Sequence, residues 1–174
     1  MRYILTLFIT FFLTNCVAGM KPEDFKDQKP RLIIEEFLKG NVKAYGILQN
    51  RSGKVTRQFS ANLNGKWDGS QLILDEKFNW SDGEVQKRQW KIIKKNNNYY
   101  EGTAADVVGT AKGYSYGPAF KFEYVLLVPV KGREMKITFD DWIFKQDDRV
   151  AINRAKMTKF GFKVAELTVV FFKD

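Results

Sequence analysis

Through most of the chain, apolar and polar residues alternate one for one. Val55, Phe59, Ala61 and Leu63 alternate with Lys54, Thr56, Gln58, Ser60 and Asn62, the period of a half-buried strand. Leu72, Leu74, Phe78 and Trp80 repeat the pattern, as do Phe120, Phe122, Tyr124, Leu126 and Val128. Leu167, Val169 and Phe171 carry it to the C-terminus. Between these runs stand Asn50-Arg51-Ser52-Gly53, Asn64-Gly65, Asp68-Gly69, Asp82-Gly83, Asn96-Asn97-Asn98, Lys131-Gly132 and Asp147-Asp148. Asn and Gly tolerate the positive φ of tight hairpin turns, so these groups read as turns. Only Arg31 to Gly40 differs: its apolar residues fall at spacings of three and four, which predicts a short helix or turn that Gly40 stops.

The predicted fold is therefore all-β, a meander of about eight to ten antiparallel strands after a short N-terminal helix or turn. Without intervening helices, such strands most economically close into an up-and-down barrel, which removes exposed edges. A two-layer sandwich is the alternative. Gly102, Gly109, Gly113 and Gly117 precede no helical pattern, so they read as bends or bulges rather than as a phosphate loop.

Three charges break the alternation. Arg57 shares parity with Val55, Phe59, Ala61 and Leu63; Glu76 lies between Leu74 and Phe78; Arg88 precedes Trp90 and Ile92 at the same parity. A charge inside a barrel is costly unless paired, so the three are expected to form one connected interior network or to line a wet cavity. In Phe139-Asp140-Asp141-Trp142 the adjacent carboxylates must point to opposite faces of a strand. Asp106, Asp140, Asp141 and Glu76 are the carboxylates that could converge for acid and base work.

Composition removes several function classes. The chain of 174 residues has no His and one Cys, which excludes imidazole catalysis, zinc or haem sites built on His and Cys, and an internal disulfide. No cofactor or metal is expected. Lys and Arg number 29 against 20 Asp and Glu, a formal charge of +9. The basic residues are dispersed, which describes a solvated surface rather than a nucleic-acid site. A monomer without a nucleic-acid partner is expected.

The N-terminus reads as an address. Arg2 precedes an apolar run from Tyr3 to Leu13, too short to span a bilayer and suited to a secretory signal. Leu13-Thr14-Asn15-Cys16 resembles the lipobox of bacterial lipoproteins, although Asn15 stands where a smaller residue is usual. This divides the chain into a signal peptide over 1–15, the lipidation residue Cys16 with a polar tether over 16–30, and one barrel domain over 31–174. The membrane is then a partner through N-terminal acylation, and Val17 after the Cys suits an outer-membrane lipoprotein facing the periplasm. Cleavage after Ala18 or Gly19, giving a soluble periplasmic protein, is the alternative.

Several of these residues carry a family resemblance. Gly65-Lys66-Trp67-Asp68-Gly69, Leu74-Asp75-Glu76-Lys77-Phe78, Asp82-Gly83-Glu84 with Arg88-Gln89-Trp90, and Tyr100-Glu101-Gly102 belong to the set. It continues with Asp106-Val107-Val108-Gly109-Thr110-Ala111, Asp140-Asp141-Trp142, Asn153-Arg154 and Met157-Thr158-Lys159-Phe160-Gly161. From about Phe37 to the C-terminus the chain resembles domain of unknown function 3833, a family of uncharacterised bacterial lipoproteins. The resemblance implies an envelope lipoprotein with a lipocalin-like barrel and supplies no catalytic residues.

The leading functional expectation is a carrier or sensor for a small amphiphilic or lipid-like ligand. Arg57 or Arg88 would neutralise an acidic head group, and Trp80, Trp90, Phe120 and Tyr124 would cover the apolar body. The candidate ligand residues are Arg57, Glu76, Arg88, Trp90, Tyr124, Asp141 and Trp142. A structural envelope protein with a filled barrel is the second reading. An acid-base enzyme using buried carboxylates is the third.

Overall fold

The computed structural model describes residues 19–130 and 132–174. The stretch read as a signal peptide, and Cys16, lie outside these residues. Ten strands follow one short helix, α1 (Ile34–Phe37). They are β1 (Gly40–Asn50), β2 (Val55–Trp67), β3 (Gln71–Trp80), β4 (Val85–Lys94), β5 (Tyr99–Thr103), β6 (Ala111–Tyr116), β7 (Ala119–Val130), β8 (Arg133–Lys145), β9 (Val150–Lys159) and β10 (Phe162–Lys173). Each pairs antiparallel with its sequence neighbour, and β1 pairs with β10 from Val42↔Lys173 to Asn50↔Ala165, closing the barrel. The protein is thus the all-β up-and-down barrel the alternation predicts, and the sandwich is excluded.

Because successive strands reverse, their turns gather at two ends. At one end α1 acts as a plug: Leu32, Ile34, Phe37 and Leu38 are buried. Three interactions seat the plug. Lys173 Nζ donates to the carbonyls of Glu36, Phe37 and Lys39 at 2.9, 2.9 and 2.7 Å. Glu35 accepts from Lys94 Nζ at 2.5 Å and from the Tyr100 hydroxyl at 2.9 Å. Gly65 supplies the third, since a Cβ there would stand 2.0 Å from the Leu38 carbonyl oxygen. This close approach explains why Asn64-Gly65 is not the turn its composition suggests. It lies within β2, and the reversal occurs at Asp68 to Ser70, where the Asp68 carboxylate accepts from the Ser70 and Gln71 amides.

Two other expectations are corrected. Gly102 and Gly113 are neither bends nor bulges; they lie within β5 and β6, where a Cβ would meet the rings of Phe122 and Phe120 at 2.5 and 2.8 Å. Gly109 and Gly117 do take positive φ. The stretch read as a polar tether is also not free throughout. Pro22–Phe25 forms a 3-10 turn, and Phe25 packs its ring on Trp142 and Phe144 outside the barrel. Phe25 is the one aromatic residue of that stretch, and its packing outweighs the mobility its polar neighbours suggest.

Candidate ligand cavity

The inward faces of the strands do not fill the barrel. A cavity of about 250 Å³ remains, floored by Ile34 and Leu38 of the plug and walled by Phe59, Phe78, Trp90, Phe122 and Phe139. The rings meet edge-on or tilted in most pairs, as at Phe59–Phe78 (5.4 Å), Trp90–Tyr124 (5.3 Å) and Phe122–Tyr124 (5.4 Å), arrangements that the ring quadrupole favours. Tyr124 and Phe139 instead stack at 5.0 Å.

A polar cluster interrupts the aromatic wall. Glu76 and Arg88 are register partners on β3 and β4, so both point inward as parity requires. The Arg88 fork is taken by Asp106: Nε donates to Oδ1 and Oδ2 at 3.1 and 3.0 Å, and Nη2 donates to Oδ2 at 2.8 Å. Glu76 Oε2 stands 3.7 Å from Arg88 Nη1, beyond hydrogen-bond reach, and among the described residues no donor meets this buried oxygen. Opposite them, Asp141 Oδ2 accepts from the Tyr124 hydroxyl at 3.0 Å and Oδ1 accepts from Asn153 Nδ2. Asn153 also donates to the Trp142 carbonyl at 3.1 Å, which fixes its amide.

The electrostatics follow from burial. Desolvation lifts the Glu76 carboxyl to about 7; Arg88 and, more weakly, the nearby Trp90 indole oppose the rise, while Asp141 and Asp106 add to it. Desolvation likewise lifts Asp141 to about 6 against the hydrogen bonds from Asn153 and Tyr124. The Tyr124 phenol is held well above its ordinary value by burial and by the Asp141 charge beside it. Three carboxyls thus surround one guanidinium that is already bonded, so the unmet capacity of the cluster is for hydrogen-bond donors.

Asp106 also repairs the wall. β4 pairs with β5 only over Lys91–Lys94, because β5 and β6 are short, so Val85 to Trp90 lack a strand on that side. The β5–β6 loop fills the gap. On β7 it makes the Val107↔Leu126 bridge, with Val108 N–H donating to the Val125 carbonyl at 2.8 Å and Leu127 N–H to the Asp106 carbonyl at 2.9 Å. Toward β4 the loop is held by the Arg88–Asp106 pair.

The predicted site residues divide as follows. Glu76, Arg88, Trp90, Tyr124 and Asp141 line the cavity together, and Arg57 lies at its mouth. The single network expected of Arg57, Glu76 and Arg88 does not exist. Arg57 Nη2 pairs with Asp82 and Glu84 of the β3–β4 turn at 2.7 and 2.8 Å. Between the two guanidinium groups stand stacked rings: Arg57 lies 4.1 Å over Trp80, Trp80 stacks on Phe78 at 6.5 Å, and Arg88 lies 5.9 Å from Phe78. Parity gave each residue a face but no height along the strand, and Arg57 is one step too near the turn. Trp142 is corrected as well: it faces outward under Phe25 and Phe144, and its indole N–H donates to Asp140 at 3.0 Å. Asp140 accordingly points away from the cavity, as its alternation with Asp141 requires. Asp106 and Asn153 complete the cluster without having stood among the ligand candidates. Asp106 sits in a loop without periodicity, where its place among the carboxylates that could converge and the family motif mark it, and no strand pattern does.

The fold and the cavity define a class: a closed up-and-down β-barrel with a ligand-sized, aromatic-walled interior. The chain belongs to the family described as proteins of unknown function, DUF3833, whose model matches residues 10–173. Among solved structures it is similar to a protein of unknown function of the DUF3598 family from Nostoc punctiforme, at TM-score 0.63 and 12% identity. That match covers 84% of this chain and 51% of the other, so this chain spans about half the length of that protein. It is also similar to an S-type phycobiliprotein lyase from Guillardia theta, at TM-score 0.59 and 8% identity, over 80% of this chain and 90% of the other. At such identities the likeness is one of fold. A search among curated proteins finds no significant match.

Proposed function

We propose that the barrel holds a small amphiphile, with its apolar body among the rings and a hydrogen-bond-donating head group at Glu76 and Asp141. The observation that carries this reading is the buried Glu76 carboxylate, whose Oε2 meets no donor among the described residues, set in the wall of a cavity of about 250 Å³. Such an orphan costs roughly 1–3 kcal/mol, and a hydroxyl or ammonium from a ligand would relieve it. The volume suits a single ring or a short chain, being somewhat under the roughly 300–1,000 Å³ of drug-sized pockets. An acidic head group fits less well at the Glu76 and Asp141 cluster, because Arg88 already serves Asp106; at the mouth Arg57 Nη2 serves Asp82 and Glu84, and its buried Nε is left as a donor for an acid.

The test is a titration of Trp fluorescence at pH 8 with octylamine, octanol and octanoate, which share a tail and differ in head group. Binding of the amine and the alcohol with exclusion of the acid is expected, since Glu76 and Asp141 are then largely ionised. No response to any of the three would overturn the reading.

The address belongs to the same proposal. The apolar run ending at the only Cys of the chain supports acylation of Cys16 and an outer-membrane lipoprotein facing the periplasm. Intact-mass measurement of the protein from bacterial membranes tests it: a mature chain beginning at Met20 without lipid would refute the anchor and leave the barrel reading untouched.

A further inference from the structure

The two ends of the barrel differ in chemistry. At the plugged end the turns are Asp68 to Ser70, Lys95 to Asn98, Gly117-Pro118 and Gln146 to Arg149, and none of them presents a large exposed apolar side chain, although Ile93 and Phe172 near the adjoining strand ends are exposed. At the open end all five turns do, the β5–β6 loop through Val108. Val55 flanks the β1–β2 turn, Val85 the β3–β4 turn and Val130 the β7–β8 turn, and each is exposed. The β9–β10 turn goes furthest: Phe160 is 88% exposed and Phe162 77%.

Phe160 is unusual in a second way. It and Gly161 form a two-residue hairpin turn between paired Lys159 and Phe162, with φ of 51° and 81°. Positive φ at both positions is the geometry that Asn-Gly or Gly-Gly adopts at least cost, and a bulky aromatic residue there is an outlier. Folding alone would favour Asn at this position. Among the described residues none covers the ring, and the Lys159 ammonium lies 5.2 Å from its centroid.

The surrounding charge is basic. Arg51 and Lys54 lie in the β1–β2 turn, Arg133 begins β8, and Lys159 and Lys163 flank the Phe160 turn. Among the described residues no carboxylate lies within ion-pair reach of Arg51, Lys54, Arg133 or Lys159, whereas Lys163 is paired with Glu166. Asp82 and Glu84 are neutralised by Arg57. Protruding aromatic residues ringed by unpaired Lys and Arg match the interfacial zone of an anionic bilayer, where rings sit among head groups and cations meet the lipid phosphates. A protein partner would instead be expected to meet a flatter apolar patch with fewer basic residues at its centre.

From this contrast we infer that the open end of the barrel docks on an anionic lipid surface, with Phe160 and Phe162 entering the head-group region and the rim cations contacting lipid phosphates. The cavity mouth then faces the bilayer. This stands independently of what the cavity holds; Phe25 packs against Gly117 at the plugged end, so an acyl group on Cys16 would tether the opposite end, and the test is made without it.

The experiment uses the absence of other thiols. In the full chain carrying Cys16→Ala, one new Cys at Phe160→Cys or at Asp148→Cys takes an environment-sensitive fluorophore. Vesicles of phosphatidylglycerol and phosphatidylcholine are expected to move emission to shorter wavelength for the label at 160 and not for that at 148. The shift should be lost with pure phosphatidylcholine and weakened by high salt. As a second measurement, Phe160→Ser with Phe162→Ser should lower vesicle co-sedimentation while leaving the melting transition unchanged, since both rings are exposed. The inference is overturned if neither label responds, if both respond equally, or if the label at 160 responds to protein concentration without vesicles, which would assign the rim to a second copy of the chain.

Discussion

Glu76 and Arg88 are directly opposed on β3 and β4, yet their nearest charged atoms stand 3.7 Å apart because the guanidinium fork is turned to Asp106. Glu76 is therefore a carboxyl buried beside a charge that is already compensated, and its protonation is decided by desolvation rather than by its partner. Its folded-state value of about 7 lies above the 4.5 of an unperturbed Glu, and that of Asp141, about 6, lies above 3.8. A raised carboxyl binds its proton more tightly when folded, so stability from these two groups is full below their unfolded values and falls as pH rises to the folded ones. Between pH 4.5 and 7 the wild type should lose roughly 3 kcal/mol through Glu76. Glu76→Gln should flatten that slope and be no less stable than wild type at pH 8. Urea denaturation across this range checks it, and a loss of about 3 kcal/mol or more at pH 8 would show that Glu76 is ionised and needed by Arg88.

Asp106 is expected to be the more sensitive partner. Asp106→Asn leaves the Arg88 cation buried with only the distant Glu76, and breaking a buried pair in this way costs about 3–5 kcal/mol. The β5–β6 loop should loosen as well, since the ion pair is its attachment to β4. Faster amide exchange at Val108 and Leu127, whose N–H groups bond across to the Val125 and Asp106 carbonyls, would accompany the loss. Unchanged exchange there would show that the bonds to β7 hold the loop alone.

The plug offers a steric test. Gly65→Ala would place a methyl group 2.0 Å from the Leu38 carbonyl oxygen, and backbone on both sides leaves little to yield. A cost of at least about 1–3 kcal/mol is expected, the range for overpacking. Thermal melting measures it. Gly53→Ala serves as the control: its Cβ would meet nothing within 4 Å, and its cost should reflect only its positive φ of 84°.

What the sequence made legible is bounded by what alternation encodes. Period two assigns a residue to a face, so the inward Glu76, Arg88, Trp90, Tyr124 and Asp141 and the split between Asp140 and Asp141 could be read from it. It encodes neither height nor register, so Arg57 was joined to residues from which Phe78 and Trp80 separate it. Trp142 has the opposite parity to Asp141, and an apolar outward residue becomes intelligible only when Phe25 is seen covering it. Asp106 carries no periodic signal at all. Its position follows from two strands being too short to fill the wall, a tertiary fact.

Arg57 should behave as a rim group, its Nη2 paired at the mouth and its Nε buried, rather than as part of the interior cluster. Its two ion pairs lie at the rim with half-exposed acids, and such pairs contribute about 0–1 kcal/mol. The stacking on Trp80 at 4.1 Å adds roughly 0.5–1 kcal/mol. Arg57→Ala should therefore lower stability by about 1–2 kcal/mol, while Arg57→Lys, which keeps the charge but loses the planar fork, should recover only part of it. The larger effect should fall on the mouth. Arg57 ties β2 to the β3–β4 turn, and without it Asp82, Glu84 and the Trp80 ring lose their common partner. Entry and release of octanol, followed by stopped-flow Trp fluorescence, should both quicken in Arg57→Ala with little change in affinity, because the polar contacts of the head group lie at Glu76 and Asp141. A fall in affinity with unchanged rates of entry would place the head group at Arg57 instead.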